Sequence, residues 1–409
     1  AAANGPNRLL KWTGTGLRDV APPVLADADR DGRVAVAADC DGDGREELYL
    51  LNEGSDADRL FDPRPDGWSD LLAMPGSRAA RGPHPGRAVA AFDRRGHGRY
   101  AFVLATNDGP LRLLECPDAS GLADLAPALG IDRPVAGAGI ALAPLASPRC
   151  DLFLAAARGS NALFRNTGLG TFLEVAVEHG LADAAELSVA ATVVDDGDGA
   201  SGLAVLNADG PHRLFLRRDD GIYRDAATPA MALPGDARFA VVADFDNDGF
   251  EELLVFHRGE ANRGFRRTDT GWSVIDPGPL AAEPGACAAA ILDIDRDGIL
   301  ELVSANGTAA PTLWKGIANG NAWLRVRPLT RFGAPARGAI VRLLAGGRRQ
   351  QRVVCCGNGS TGQMEPVAHF GLGSCERIDH VQVTWPDGTM ARIEAPAACT
   401  TIDLRYPGT

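Results

Sequence analysis

The sequence predicts an all-β protein, a β-propeller followed by a small antiparallel β domain, and three observations carry that prediction. An acidic loop motif recurs along most of the chain, with copies beginning at Asp39, Asp93, Ala143, Val194, Asp244 and Asp293, a period of about 50 residues. Each copy is flanked by short apolar runs separated by glycine-bearing turns. No apolar pattern with a 3.6-residue period persists beyond about ten residues, which excludes a helical solenoid. From about Asn321 the pattern gives way to alternating apolar and polar residues.

Taken in order, "RLLKWTGTGLRDVA" before the first copy reads as outer strands that lack inner partners. Every copy then supplies four strands. A short apolar strand such as "RAVAAF", "LSVAATV" or "CAAAILD" precedes the loop, and one such as "ELYLL" or "ELLVF" follows it. A third has the form "RLFD", "ALFRN" or "RLFLR"; a turn and a fourth strand follow in "TGLGTFLEVA", "DDGIYRDAA" and "DTGWSVID". Four strands per repeat is the pattern of a propeller blade. Six copies predict six blades over roughly residues 9–318, or seven if one blade has lost its signature. After the sixth copy "PTLWKG" stands as a lone outer strand. The two leftovers predict a ring closed by pairing the N-terminal strand onto the last blade, which removes exposed edges. The expected domains are 1–320, the propeller, and 321–409, the small β domain.

The loops hold the candidate chemistry. In "DFDNDGFEELLV", Asp244, Asp246 and Asp248 occupy positions 1, 3 and 5, Gly249 position 6 and Glu252 position 9. The first copy repeats this with Asp39, Asp41, Asp43, Gly44 and Glu47, the sixth with Asp293, Asp295, Asp297, Gly298 and Glu301. Carboxylates at alternate positions, a glycine at the bend and a later acid are a calcium-ligand pattern. Like charges this close repel unless a cation neutralises them. The alternative of a solvated acidic turn needs only the ordinary turn propensity of Asp and Gly. An EF-hand is rejected, since position 12 is Leu50, Val255 or Ser304 where a bidentate Glu is required, and the flanks are strands. Magnesium, which demands a stricter octahedral geometry, fits a flexible loop of carboxylates less well. The second copy carries Arg95, His97 and Ala101 at ligand positions and should be held by its own hydrogen bonds. The fourth keeps Asp196 and Asp198 but has Val194 and Gly202 at positions 1 and 9; "DADRDG", with Asp27, Asp29 and Asp31, lacks the ninth acid. Both read as turns.

These loops, with the "ALFRNTGLGTF" pattern around them, resemble the FG-GAP/VCBS repeats of integrin-type propellers. The resemblance implies calcium held in a largely structural role. The C-terminal stretch resembles the ASPIC/UnbV domain in "RGAIVRL", "HFGLG" and "WPDG". The combination is similar to the cartilage acidic protein 1-like and UnbV-like family. One departure stands out. "CCGNGSTGQM" replaces the serine- and glycine-rich turn of the family, with Gln363 as its surviving match. Of the eight cysteines, Cys355, Cys356, Cys375 and Cys399 crowd the C-terminal fifth, and Cys116 and Cys150 flank one segment. They are open to two readings, disulfides, with the turn tied to Cys375 or Cys399, or buried thiols.

A net charge of −12 offers no basic stripe for phosphate, so a nucleic-acid partner is not expected. No apolar run approaches the roughly 20 residues a membrane helix needs, so no membrane insertion is expected. The sequence opens at Ala1, which fits a removed leader or a trimmed terminus. Zinc spacing, a GxSxG elbow, a P-loop and a dinucleotide fingerprint are all missing. His369 reads as a packed or hydrogen-bonded histidine. The expected function is that of a calcium-binding module outside the cytoplasm, extracellular or periplasmic, that binds or scaffolds a protein or glycan partner. The alternative is an enzyme of natural-product metabolism whose site lies on the propeller axis. A converging polar pocket there would favour the enzyme, an exposed patch with aromatic anchors the binder.

Overall fold

The computed structural model describes all residues apart from 1–4, 54–56, 79, 82–85, 107–108, 119–120, 198, 283–284, 307–309, 358–361, 376 and 409. Six antiparallel sheets follow one another along the chain, five with four strands and the last with three. Their inner strands are Gly32–Ala38, Gly86–Phe92, Gly137–Ala143, Leu187–Asp195, Ala237–Ala243 and Ala288–Leu292. Each of the six acidic or degenerate loops joins an inner strand to the second strand of its sheet, as the repeat predicts.

Composition explains the inner strands. Blades converge on an axis, so residues there must be small and β-favouring; "GAGIALA" is buried at every position. A register shift recurs near the start of the inner strand in the first five blades, for example between Gly32 and Val34 and between Ala237 and Phe239. Repeated at one place, it bends each inner strand alike. Apolar cores then form between neighbouring blades. Tyr49 packs on Phe102 at 5.0 Å between the first two, and Phe239 stacks on Phe256 at 4.6 Å in the core shared by the last two.

Ring closure differs from expectation. The N-terminal strand Leu10–Trp12 pairs with Leu17–Asp19 as a separate hairpin, and Thr312–Lys315 is the outermost strand of the three-stranded sixth blade. Among the described residues the junction of sixth and first blades is instead bridged by the C-terminal domain. The Gln363 side chain exchanges two hydrogen bonds with the Ala37 backbone of the first blade, at 2.8 and 3.0 Å. Two residues on, Glu365 N–H donates to Ile291 O of the sixth at 3.2 Å. A primary amide imitates a strand's donor and acceptor pair, so Gln363 caps the free edge of the first blade's inner strand while Glu365 bonds the sixth.

The C-terminal residues form two further sheets. In one, Ala322–Pro328 lies between Ala368–Gly373, antiparallel, and Thr400–Leu404, parallel. The other has the order Arg348–Val353, Ile340–Ala345, Ile378–Thr384, Met390–Glu394, all antiparallel. The parallel pair is the exception to an otherwise antiparallel expectation. Phe370, Val341, Val383 and Trp385 build the core between them.

This domain docks on the loop face of the propeller. Gly298, at position 6 of the sixth loop, has φ 81°, and a Cβ there would fall 1.9 Å from the Trp323 ring. The motif glycine thus serves both the turn and the close approach of the second domain. Arg149 donates to Pro386 O at 2.6 Å, and Arg337 pairs with Glu46 at 2.7 Å. No described helix is long and apolar enough to cross a membrane.

Candidate metal centres

The structure brings each predicted aspartate triad together. Asp39, Asp41 and Asp43, Asp244, Asp246 and Asp248, and Asp293, Asp295 and Asp297 each place one carboxylate oxygen per residue within 4.8 Å of the others. The three loops share one local geometry. The position-1 aspartate accepts the position-6 glycine N–H, at 3.0 Å in the first loop, 2.9 Å in the fifth and 3.0 Å in the sixth. The position-5 aspartate accepts the N–H two residues on, at 2.8, 2.8 and 2.9 Å. These Asx-type bonds hold the carboxylates on the inside of the turn.

The ninth-position glutamates begin the second strand and stand beside the triads. In every loop Oε2 accepts the N–H of position 2, from Cys40 at 2.6 Å, Phe245 at 2.9 Å and Ile294 at 2.8 Å. Oε1 accepts from Arg266 in the fifth loop and has no hydrogen-bond partner in the other two. Burial pushes Glu47 and Glu252 up to about 8, Asp39 to about 6 and Asp244 to about 7, with neighbouring carboxylates adding to the rise. Asp293 and Glu301 are raised for the same first reason. Buried Glu47 Oε1 and Asp244 Oδ1 have no hydrogen-bond partner. A set of hard oxygen donors, partly desolvated and partly unpaired, fits a divalent cation such as calcium. Such an ion would supply the positive charge that the clustered oxygens lack.

Other loops differ. In the second, Asp93 accepts N–H groups from Gly96, His97 and Gly98 at 2.7, 3.0 and 2.5 Å, so the turn holds itself as expected. In the third, Asp151 does the same for Leu145, Ala146 and Ser147. In the fourth, Asp196 accepts the Ala200 N–H at 3.0 Å, while Asp198 lies outside the described residues. Asp27 is ion-paired to Arg59 at 3.3 Å. Cys40, Cys150, Cys356, Cys375 and Cys399 stand as thiols, so the tie from Cys356 to Cys375 or Cys399 is not made. Cys356 faces inward, against the second and third blades. The turn that was to be tied includes residues 358–361, outside the described set.

A second feature was not legible locally. The C-terminal domain and the inner strands of the third to sixth blades line a partly open cavity of about 150 Å³ on the axis. Arg352 reaches down to Asp195 at 2.9 Å and Glu251 at 3.2 Å, and Arg325 to Asp293 at 3.0 Å and Glu365 at 2.5 Å. Each buried arginine is therefore matched by two carboxylates, as desolvated charge requires. His369 hydrogen-bonds Asn247 Oδ1 through Nε2 at 2.6 Å; burial, helped by Arg325 and Arg352, pushes it down to about 3, so the ring is neutral and donates. It is a packed, hydrogen-bonded histidine, as read from sequence. Arg325 Nε, Gln351 Oε1 and His369 Nδ1, all from residues lining this cavity, are buried without hydrogen-bond partners.

The strand Ala368–Gly373, which brings His369 to the cavity, also meets the fifth loop. Asp244 Oδ2 accepts both Gly249 N–H and Gly371 N–H, the latter at 3.0 Å. One carboxylate thus closes a candidate metal loop and anchors the "HFGLG" strand.

Comparison with known proteins agrees with both halves of this architecture. Residues 330–409 match the family described as "ASPIC and UnbV", and residues 196–255 the FG-GAP-like repeat. Cartilage acidic protein 1 of Xenopus tropicalis is 36% identical over 461 aligned positions, covering 100% of this chain and 71% of the relative. The Homo sapiens protein of the same name is 35% identical, covering 100% and 69%. Identity at this level along the whole chain, on an FG-GAP propeller that carries an ASPIC/UnbV domain, makes the chain a member of the cartilage acidic protein 1 family.

Proposed function

We propose that the protein is a calcium-binding β-propeller that works outside the cytoplasm as a binding or scaffold module for a protein or glycan partner. The observation that carries the calcium reading is the set of three loops with the same aspartate triad and hydrogen bonds, whose buried carboxylates are raised in pKa and incompletely paired. Loops of this kind suit the millimolar calcium found outside cells. The name of the relatives, with its reference to cartilage, supports an extracellular setting. Calcium here is structural: it joins an inner strand to the next strand and stiffens the face on which the C-terminal domain sits. Melting the protein in chelator and then titrating calcium back tests this. The melting temperature should fall on chelation and recover with calcium, because an ion that binds only the folded ring stabilises it by mass action. An unchanged melting curve would overturn the calcium reading.

The axial cavity favours a second reading, an enzyme or accessory protein acting on a small molecule. Converging buried polar groups on the axis are what such a site needs. The exposed large apolar side chains of the described residues are scattered, and the aromatic among them is Phe332, 37% exposed. Val242 lines the cavity from an inner strand. A small molecule retained by the wild type in native mass spectrometry should be lost in Val242→Phe, which fills the space. Retention by that variant would count against this reading.

A further inference from the structure

Strand register places a different residue opposite the ninth-position glutamate in each acidic blade. Glu252 faces Arg266 and Glu301 faces Lys315. In the first blade the register Leu48↔Phe61, carried one residue further, sets Asp62 opposite Glu47.

The consequences are visible in the contacts. Arg266 donates to Glu252 Oε1 at 2.9 Å, contacts Asp246 and lies 3.9 Å from Asp248. Lys315 contacts Asp295 and stands 3.0 Å from Asp297 and 3.5 Å from Glu301 Oε1. Each of these side chains puts one positive charge among three carboxylates of its loop, where a metal ion would sit. Among the described residues the first blade has no cation in contact with both its aspartates and its ninth-position glutamate. Glu47 is fully buried and its Oε1 has no hydrogen-bond partner; Glu301 Oε1 has none either, but Lys315 stands 3.5 Å from it, whereas no cation is paired with Glu47 among the described residues. Asp62 is also fully buried, and its own ion pair is with Arg64, a half-exposed residue two positions along the strand. Arg45 reaches Asp43 from outside, at 3.7 Å.

We propose that the three loops are unequal: the first blade holds the protein's tight divalent-cation site, with Asp62 added to the motif's own carboxylates, while Arg266 and Lys315 act as built-in cations in the fifth and sixth. This rests on the calcium reading above and refines it. The first loop and the strand facing it carry five acids, Asp39, Asp41, Asp43, Glu47 and Asp62, one more than the motif alone supplies, and ligand charge count tunes calcium affinity. In the other two loops an ion must first displace a tethered cation, which lowers affinity by direct competition.

Calcium titration of the chelator-treated full chain by isothermal calorimetry tests this. The wild type should show one tight site per chain. Asp62→Asn should weaken it by about tenfold or more, and Asp62→Lys, which installs the sixth blade's arrangement in the first, should remove it. Lys315→Gln should add a second tight site; because it is a gain on a half-exposed residue, it decides the matter even if the Asp62 variants fail to fold. Three equal sites in the wild type, an unaltered tight site in Asp62→Asn, or no gain in Lys315→Gln would overturn the inequality. A wild type that binds no calcium overturns the calcium reading itself.

Discussion

At the residue scale, one backbone N–H at the end of the second strand in four of the blades shows how repeats substitute for one another. In the third and fifth blades it is accepted by an asparagine five residues on, Asn161 taking Ala156 N–H at 2.8 Å and Asn262 taking His257 N–H at 2.9 Å. In the first blade Asp58 serves, and in the fourth His212, whose Nδ1 accepts the Asn207 N–H at 3.1 Å. Burial, with His257 beside it, pushes His212 down to about 4. The unfolded chain, with an ordinary histidine, then binds the proton first. Stability from this site is full above about pH 6.5 and is lost as pH falls toward 4, by about 3 kcal/mol. His212→Asn keeps the acceptor that two sibling blades use and removes the titration. Its urea midpoint in saturating calcium should fall less steeply than the wild type's between pH 6.5 and 4.5. Parallel slopes would refute the assignment.

At the element scale, the blade is braced by a charge pair that the repeat pattern concealed. The arginine opening the third strand meets an acid of the fourth: Arg59 with Asp70 at 3.0 Å, Arg112 with Asp124 at 2.8 Å and Arg213 with Asp225 at 3.1 Å. The same aspartates accept the N–H of the residue after the arginine, Leu60, Leu113 or Leu214. Arg112 is the most buried of the three, so Asp124→Ala leaves a desolvated guanidinium. That change should cost about 3 kcal/mol, against under about 1 kcal/mol for Asp225→Ala, whose carboxyl is more exposed. Equal losses in chemical denaturation would show that burial is not what sets the difference. Gly298 is a second element-scale constraint. Gly298→Ala forces a Cβ into Trp323 at a positive φ, and the melting temperature should drop by several degrees even in saturating calcium.

At the scale of the whole molecule, the C-terminal domain completes the propeller. It supplies Gln363 and Glu365 across the junction of first and sixth blades, and Arg325 and Arg352 down the axis. Gln363→Ala should leave each blade intact while raising hydrogen exchange at the Ala37 amide by about tenfold or more, since its side-chain acceptor is gone. Unchanged exchange there would mean the junction is closed by other contacts.

The periodic features were legible because they are local: the Asp-x-Asp-x-Asp-Gly loop, the strands on either side and the approximately 50-residue spacing each follow from a few neighbouring residues. The residues opposite the ninth-position glutamates were missed, although Asp62, Arg266 and Lys315 follow Glu47, Glu252 and Glu301 at 14 or 15 positions. Aligning the repeats over their full length would have found that signal. The N-terminal closure was expected on the general ground that edges must be covered; the N-terminal strand forms its own hairpin instead, and the C-terminal domain bridges the inner strands at that junction.

Sequence by itself determined the repeat, the loops and their acid-rich chemistry, because hairpin turns and alternating strands are set by contiguous residues. Only the tertiary structure decided which charges face one another across strands, where the ring is bridged and that buried arginines from the C-terminal domain meet propeller carboxylates around one cavity. Those contacts join residues up to 326 positions apart, and their energies depend on burial and register, which exist only once the chain has folded.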